Sequence, residues 1–190
     1  QGVETQTETV WQQANNFNVP RLGFINKLDR QGADVDLTIK TIKEKLKSEP
    51  LLVNVPVGEE AQFNGIIDLP TMMYYKYVDE LGKLVDVEEW SKEHPHYDKA
   101  MNAREELIEK LIDYDETLAD KYLLGEFITE EDITKALKLA LREHNTVAIH
   151  WGSALKNRGV QPLLENVVSL LPSPGEKSSV EGVERSSGQK

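Results

Sequence analysis

The spacing of apolar positions changes along the chain, and each change predicts a different element. Thr5-Gln6-Thr7-Glu8 reads as the capped start of a helix whose Val10, Trp11 and Ala14 share one side and which closes near Asn15-Asn16. The apolar run Leu22-Gly23-Phe24-Ile25 predicts a strand over 21–25, buried as in a parallel sheet. Asp34 or Asp36 then opens a helix in which Val35, Ile39, Ile42 and Leu46 recur at helical spacing, a stripe that packs on a sheet and ends before Pro50.

From Leu51 the period becomes two. Leu51, Val53, Val55 and Val57 alternate with other residues, and the runs 63–69, 73–78 and 84–87 follow with Gly58, Pro70 and Gly82 between them, which predicts an antiparallel meander. Helical spacing returns over 97–112, where Ala100, Ala103, Leu107 and Leu111 share a face, and a short helix follows near 116–124. Thr129 with Asp132 forms a capping box, Ile128 and Ile133 are placed as a hydrophobic staple, and the helix they open runs to about Glu143. A second apolar run, Thr146 to Trp151, precedes a last core helix on Val160, Leu164, Val167 and Leu171, with Pro162 tolerated in its first turn.

Both apolar runs end in residues able to read a purine. Asn26-Lys27-Leu28-Asp29 follows the first. Guanine presents N7 and O6 as acceptors, and its other edge carries an N1–H and an exocyclic amine as donors. An ionised Asp29 is acceptor-only and can take both donors, while the Asn26 amide can donate toward N7 or O6. Adenine cannot satisfy that carboxylate, and a mismatch of this kind discriminates by on the order of 10⁴ or more. The Lys27 stem is suited to covering the face of the base with its ammonium in water. Gly152-Ser153-Ala154-Leu155-Lys156 follows the second run. A small residue at 154 lets a backbone N–H approach O6, and Ser153 can brace Asp29 or its own loop. Each motif also has a plainer reading, the first as a strand end with a polar turn and the second as a strand-to-helix turn with a Ser cap. Ligands of open α/β sheets gather at the carboxyl ends of strands, where both motifs stand.

These motifs and their surroundings resemble the elongation factor G family of translational GTPases. The resemblance lies in Gly2-Val3-Glu4-Thr5-Gln6-Thr7-Glu8-Thr9-Val10-Trp11, Val19-Pro20-Arg21, Asn26 to Arg30, Phe63-Asn64-Gly65-Ile66-Ile67-Asp68-Leu69 and Gly152 to Leu164, and extends over residues 1–174. The family's usual Met, Cys and Lys are replaced by Leu28, Trp151 and Arg158. None of these removes a predicted base contact. The resemblance implies an α/β fold, a partial P-loop GTPase (Rossmann-like) sheet with an inserted α+β subdomain. It assigns Asn26, Lys27, Asp29, Ser153, Ala154 and Leu155 to guanine binding, GTP with Mg2+ as cofactors of the intact protein, and GTP or GDP and the ribosome as partners. It also implies that the ribosomal stalk protein docks on the acidic helices around Glu105 to Asp132, that the protein is a monomer, and that it acts in translocation or ribosome recycling. The wording Asn18 to Arg21 and Phe24 to Asp29 is similar to mitochondrial versions, so a mitochondrial matrix location is expected, with the cytoplasm as the alternative.

Asp29 and Ser153 stand 124 positions apart (153 − 29), more than one crossover helix needs, and a gap of that length must itself fold. Four segments follow: 1–50 as the first part of the half G domain, 51–144 as the insert, 145–172 as the last strand and helix, and 173–190 as a linker or disordered tail. No G-x-x-x-x-G-K-[ST] phosphate loop occurs, and no D-x-x-G switch segment is recognised. The chain therefore reads as the second half of a G domain, without catalytic or metal-ligating residues and inactive alone. The alternative is a noncatalytic module that docks a ribosomal partner and keeps a vestigial nucleotide site.

Composition narrows the remaining possibilities. A formal charge of −11 on 190 residues is a poor footprint for nonspecific nucleic-acid binding, and the absence of cysteine removes disulfides and thiolate metal sites. No apolar run of about 18 residues exists, so no membrane span is expected. Glu93-His94-Pro95-His96 reads as a surface turn rather than a metal clip, His144 and His150 as structural, and Glu59-Glu60 and Asp113-Asp115 as turn residues rather than catalytic pairs.

Overall fold

A computed structural model describes residues 2–32, 34–58, 60–143 and 145–176. Glu59, His144 and the tail beyond Glu176 lie outside the described residues. The chain builds two sheets. Strands β1 (Leu22–Ile25), β2 (Glu49–Leu52) and β7 (Thr146–Trp151) form a parallel sheet in the order β1-β7-β2. Strands β3 (Asn54–Val57), β4 (Gly65–Asp68), β5 (Met73–Tyr77) and β6 (Val85–Glu89) form an antiparallel meander in sequential order.

The alternation beginning at Leu51 is thus divided between the sheets, which corrects its assignment to the meander. Leu51 pairs with Ala148 in the parallel sheet, whereas Val55 pairs with Ile67 in the antiparallel one. Fully buried Val53 is the joint: its N–H donates to Ile149 O at 3.1 Å and its carbonyl accepts from Leu69 N at 2.9 Å. Asn54 reinforces it by accepting the Trp151 N–H on Oδ1 at 2.9 Å. A period of two marks an extended chain but carries no information on the direction of its partner.

Helix α1 spans Thr5–Asn16, α2 Val35–Thr41, α3 Tyr97–Leu111, α4 Glu116–Leu124, α5 Glu130–Ala140 and α6 Val160–Leu170. Their starts follow local chemistry. Asp34 accepts from Leu37 N, Asp115 from Thr117 N and Leu118 N, and Thr129 with Asp132 completes the expected capping box. Helix α1 departs from expectation, because Glu4 occupies the N-cap without a side-chain bond and no residue of the helix is buried. Trp11 is held instead by its own Nε1–H on Ser48 Oγ (3.0 Å) and by Arg21 stacked 4.3 Å from the ring centroid. Helix α2 continues as a π-helical turn over Ile42–Leu46 that buries Ile42 and Leu46. Helix α6 is not a core helix: Leu164 is 58% and Val168 84% exposed, and only Pro162 and Leu170 are buried.

Two apolar clusters hold this arrangement. One packs α3 and α5 against Leu51, Val53 and Ile67, and the other gathers Phe63, Ile66, Tyr75 and Tyr77 with Val147, Ile149 and Trp151. Buried Arg104 spans the first, donating from Nε to Leu69 O at 3.0 Å and from Nη2 to Ile128 O at 2.9 Å. Arg104→Met keeps the stem but deprives two carbonyls of a charged donor, so unfolding in urea should show a loss of about 2–4 kcal/mol. A loss below about 0.5 kcal/mol, the range of ordinary surface changes, would mean that both carbonyls find partners without it.

Candidate functional site

The parallel pairing of β1 with β7 carries both motifs to one edge of the sheet. Ile25 lies opposite Trp151, and the two loops that follow are tied by Gly152 N to Ile25 O (3.1 Å) and Leu28 N to Gly152 O (3.2 Å). The Asn26 side chain joins them directly. Its Oδ1 accepts the Lys27 N–H at 2.8 Å and the Ala154 N–H at 2.9 Å, the second across 128 residues. With Oδ1 committed as acceptor, Nδ2 is the atom left to donate outward. Lys27 itself has φ 70°, a left-handed conformation that bends the loop immediately after the strand.

Asp29 stands beside the second loop. Its side chain is 6% exposed, with Oδ2 3.8 Å from Lys156 Nζ and 4.0 Å from Arg30 Nε. Burial pushes the carboxyl up, but the Ser153 hydroxyl, the residue's own N–H and the charges of Lys156 and Arg30 outweigh it and hold Asp29 below the usual carboxylate range. Ser153 Oγ is buried and makes no hydrogen bond of good geometry among the described residues, so it acts on Asp29 as a neighbouring dipole. Asp29 is therefore ionised and acceptor-only at neutral pH, as recognition of two donors requires.

All six predicted residues lie on these two loops, in unequal settings. Asn26, Lys27, Ala154 and Leu155 are exposed, Asp29 and Ser153 are packed behind them, and Leu155 offers only an apolar side chain to solvent. Lys156, to which the motif assigns no role, proves to be a partner of Asp29 through its ammonium. A cleft of about 360 Å³ beside Asn26 and Lys27 is lined also by Ile25, Arg30, Thr38 and Trp151 but not by Asp29 or Ala154, so it is a neighbouring groove and not the surface that the two loops share.

Two stretches do have the bare D-x-x-G spacing of a switch segment, Asp29 to Gly32 and Asp79 to Gly82. The first carboxylate faces Lys156, and the second accepts N–H groups from Leu81 and Leu84 within the β5–β6 turn. Asp79 thus serves its own turn. His150 is buried between strands with its pKa pushed down to about 4 by burial, and Glu93 to His96 form the turn before α3, where the His94 ring meets Tyr74 at 4.7 Å. No three His, Asp or Glu side chains are grouped to hold a metal among the described residues, and no helix there is long and apolar enough to cross a membrane.

Residues 1–173 match the family of the elongation factor Tu GTP binding domain. Elongation factor G of Thermotoga neapolitana is 42% identical over 188 residues, which are 99% of this chain and 27% of that protein. Elongation factor G 2 of Desulfotalea psychrophila is 46% identical over 185 residues, 97% of this chain and 26% of that protein. A crystal structure of a protein from Thermus thermophilus superposes with a TM-score of 0.75 at 30% identity, covering 92% of this chain and 26% of that one. The chain thus spans about a quarter of the length of the relatives it matches.

Proposed function

The chain belongs to the elongation factor G family of translational GTPases, and from that premise we propose that Asn26 to Asp29 and Ser153 to Leu155 read the guanine base of GTP and GDP. The observation that carries this reading is the Ala154 N–H on Asn26 Oδ1, which binds two strand-end loops 128 residues apart into one surface. In that surface Asp29 accepts the N1–H and the amine, Asn26 Nδ2 donates to the ring acceptors, and the Ala154 N–H is shared between Asn26 Oδ1 and O6 as a three-centre bond. Lys156 keeps Asp29 charged.

The intact protein hydrolyses GTP and works on the ribosome, in translocation or recycling. Residues 22–52 and 146–170 supply the second half of its nucleotide domain. The insert between them begins after Leu52, because Glu49–Leu52 pair in the parallel sheet. Among the described residues no three His, Asp or Glu side chains are grouped to hold a magnesium ion, and the Asp29 carboxylate faces Lys156 and Arg30.

Docking of a ribosomal partner on the insert is supported by Leu123, Leu124 and Phe127, which stand exposed at the end of α4 among Glu116, Asp120 and Glu126. The same surface favours the second reading, an interaction module whose base site is vestigial. A mitochondrial matrix location rests on the wording near Asn18 and Phe24 alone, and the relatives named above are bacterial.

Base contacts without a phosphate cradle give little affinity. Residues 1–190 alone should therefore bind GTP and GDP too weakly for calorimetry in the micromolar range. Magnesium-dependent micromolar binding by this chain would show that it holds a phosphate site of its own. Failure of the intact protein to bind either nucleotide would leave the interaction module as the better reading.

A further inference from the structure

The loop that follows β7 is gripped from two sides. One grip is the Asn26 and Asp29 side described above. The other comes from the insert, through the hairpin β5–β6 and the segment before β4. Buried Arg158 donates from Nη1 to Phe63 O and from Nη2 to Asp79 O at 3.5 Å. Asn157 Nδ2 and Gln161 Nε2 both donate to Gly82 O, at 2.9 and 3.3 Å. The Gly159 N–H donates to Tyr77 Oη at 2.6 Å, and Tyr77 in turn donates to Gln161 Oε1 at 3.3 Å.

Gly82 shows how close the two backbones run. A Cβ there would collide with Lys156 O and lie 2.7 Å from Asn157 O, and φ is +59°. The turn thus rests directly on the chain between Ala154 and Arg158. Arg158 connects this contact to the base-reading end: its N–H and carbonyl exchange two 2.9 Å hydrogen bonds with Ser153, which closes residues 153–158 into a rigid ring. Any displacement of Arg158 is transmitted to Ser153 and its neighbour Ala154. The fork of two donors on two carbonyls is a geometry that a lysine ammonium reproduces only in part.

We propose that the β5–β6 hairpin of the insert is a positioning element for base recognition, in which Asp79 through Arg158, Gly82 through Asn157 and Tyr77 through Gly159 set the place of the Ala154 N–H. This rests on the guanine reading proposed above. The insert is then part of the nucleotide site's support as well as a surface of its own. The hairpin acts at the 6-position of the base, whereas Asp29 acts at the 1- and 2-positions.

The test uses the intact protein and two affinity ratios. GTP against 6-thio-GTP reports the contact at O6, because sulfur is a larger and weaker acceptor, and GTP against ITP reports Asp29. Arg158→Ala should lower the first ratio roughly three- to tenfold, the worth of one neutral hydrogen bond, and the second by clearly less, since Ser153 and Lys156 of the same ring face Asp29. Arg158→Lys should restore part of the loss. Tyr77→Phe, which removes the acceptor for Gly159 and the donor to Gln161, should shift the first ratio in the same direction and decides the matter if Arg158→Ala does not fold. A folded variant with both ratios unchanged overturns the proposal, as do both ratios falling equally or a wild-type protein indifferent to the 6-substituent. A wild-type protein without preference for GTP over ITP instead removes the base-reading assignment, and the hairpin's role with it.

Discussion

In the intact protein, Asp29→Asn should weaken GTP binding and raise that of the xanthine nucleotide. The carboxylate is proposed to accept two guanine donors, and each charge-assisted bond lost costs roughly 1.5–3 kcal/mol, or about one to two decades of affinity. The substituted amide brings a donor that suits the carbonyl standing where guanine has its amine. The surroundings accentuate the change, since Lys156 Nζ at 3.8 Å and Arg30 Nε at 4.0 Å lose their anionic partner. Inosine nucleotide, lacking only the exocyclic amine, should fall between GTP and ATP for the unmutated protein. Competition among GTP, ITP, XTP and ATP on both forms checks this, and an order of preference that survives the substitution would remove Asp29 from base reading.

The second large effect lies away from the base, at Asp68 on the last position of β4. Its Oδ2 accepts from Thr71 N at 3.1 Å and Thr71 Oγ1 at 2.7 Å, while Oδ1 is buried without a hydrogen bond among the described residues. Burial raises its pKa to about 6 against the Thr71 bonds, with Glu165 and Glu130 adding to the rise. Between the ordinary value of 3.8 and about 6 the folded chain holds a proton that the unfolded chain has released. Stability therefore falls as pH rises through that window, by about 3 kcal/mol at roughly 1.4 kcal/mol per pH unit.

Buried His150 works in the opposite sense. Its pKa is about 4 when folded and 6.5 ordinarily, so the unfolded chain takes the proton first and stability falls as pH drops through that range. The two slopes offset one another between about pH 4 and 6, and the unmutated protein should show a shallow profile there. Asp68→Asn removes the Asp68 slope and leaves that of His150. The variant should gain about 2–3 kcal/mol over the parent at pH 7.5 and nothing near pH 3.5. Urea unfolding at those two values reads the difference, and equal stability offsets at both would show that Asp68 carries no buried charge.

Much of the candidate site was legible in the sequence because its parts are local. Asn26 to Asp29 and Gly152 to Lys156 each follow directly on a short apolar run, so the strand and the residues at its end are read together. Their convergence followed from the rule that ligands gather at strand carboxyl ends, and the parallel pairing of Ile25 with Trp151 realises it. Lys156 and Arg158 were visible as residues but not as partners, since what they bind comes from Asp29, Phe63 and Asp79. No spacing within 152–159 announces those contacts.

The sequence by itself determined which segments are helical or extended, where several of them begin, and which side of each is apolar. These depend on backbone propensity, on caps such as Thr129 with Asp132, and on glycines that permit a left-handed turn, all of which act within a few residues. Only the tertiary structure decided what covers each apolar side. The stripe on α3 meets a sheet and is buried, that on α6 leaves Leu164 and Val168 in solvent, and the single alternation across 51–57 divides between a parallel and an antiparallel sheet at Val53. Periodicity records the preference of a face for burial, while the partner that buries it is selected by packing and hydrogen bonding between segments as far apart as Val53 and Ile149, a competition that no local pattern contains.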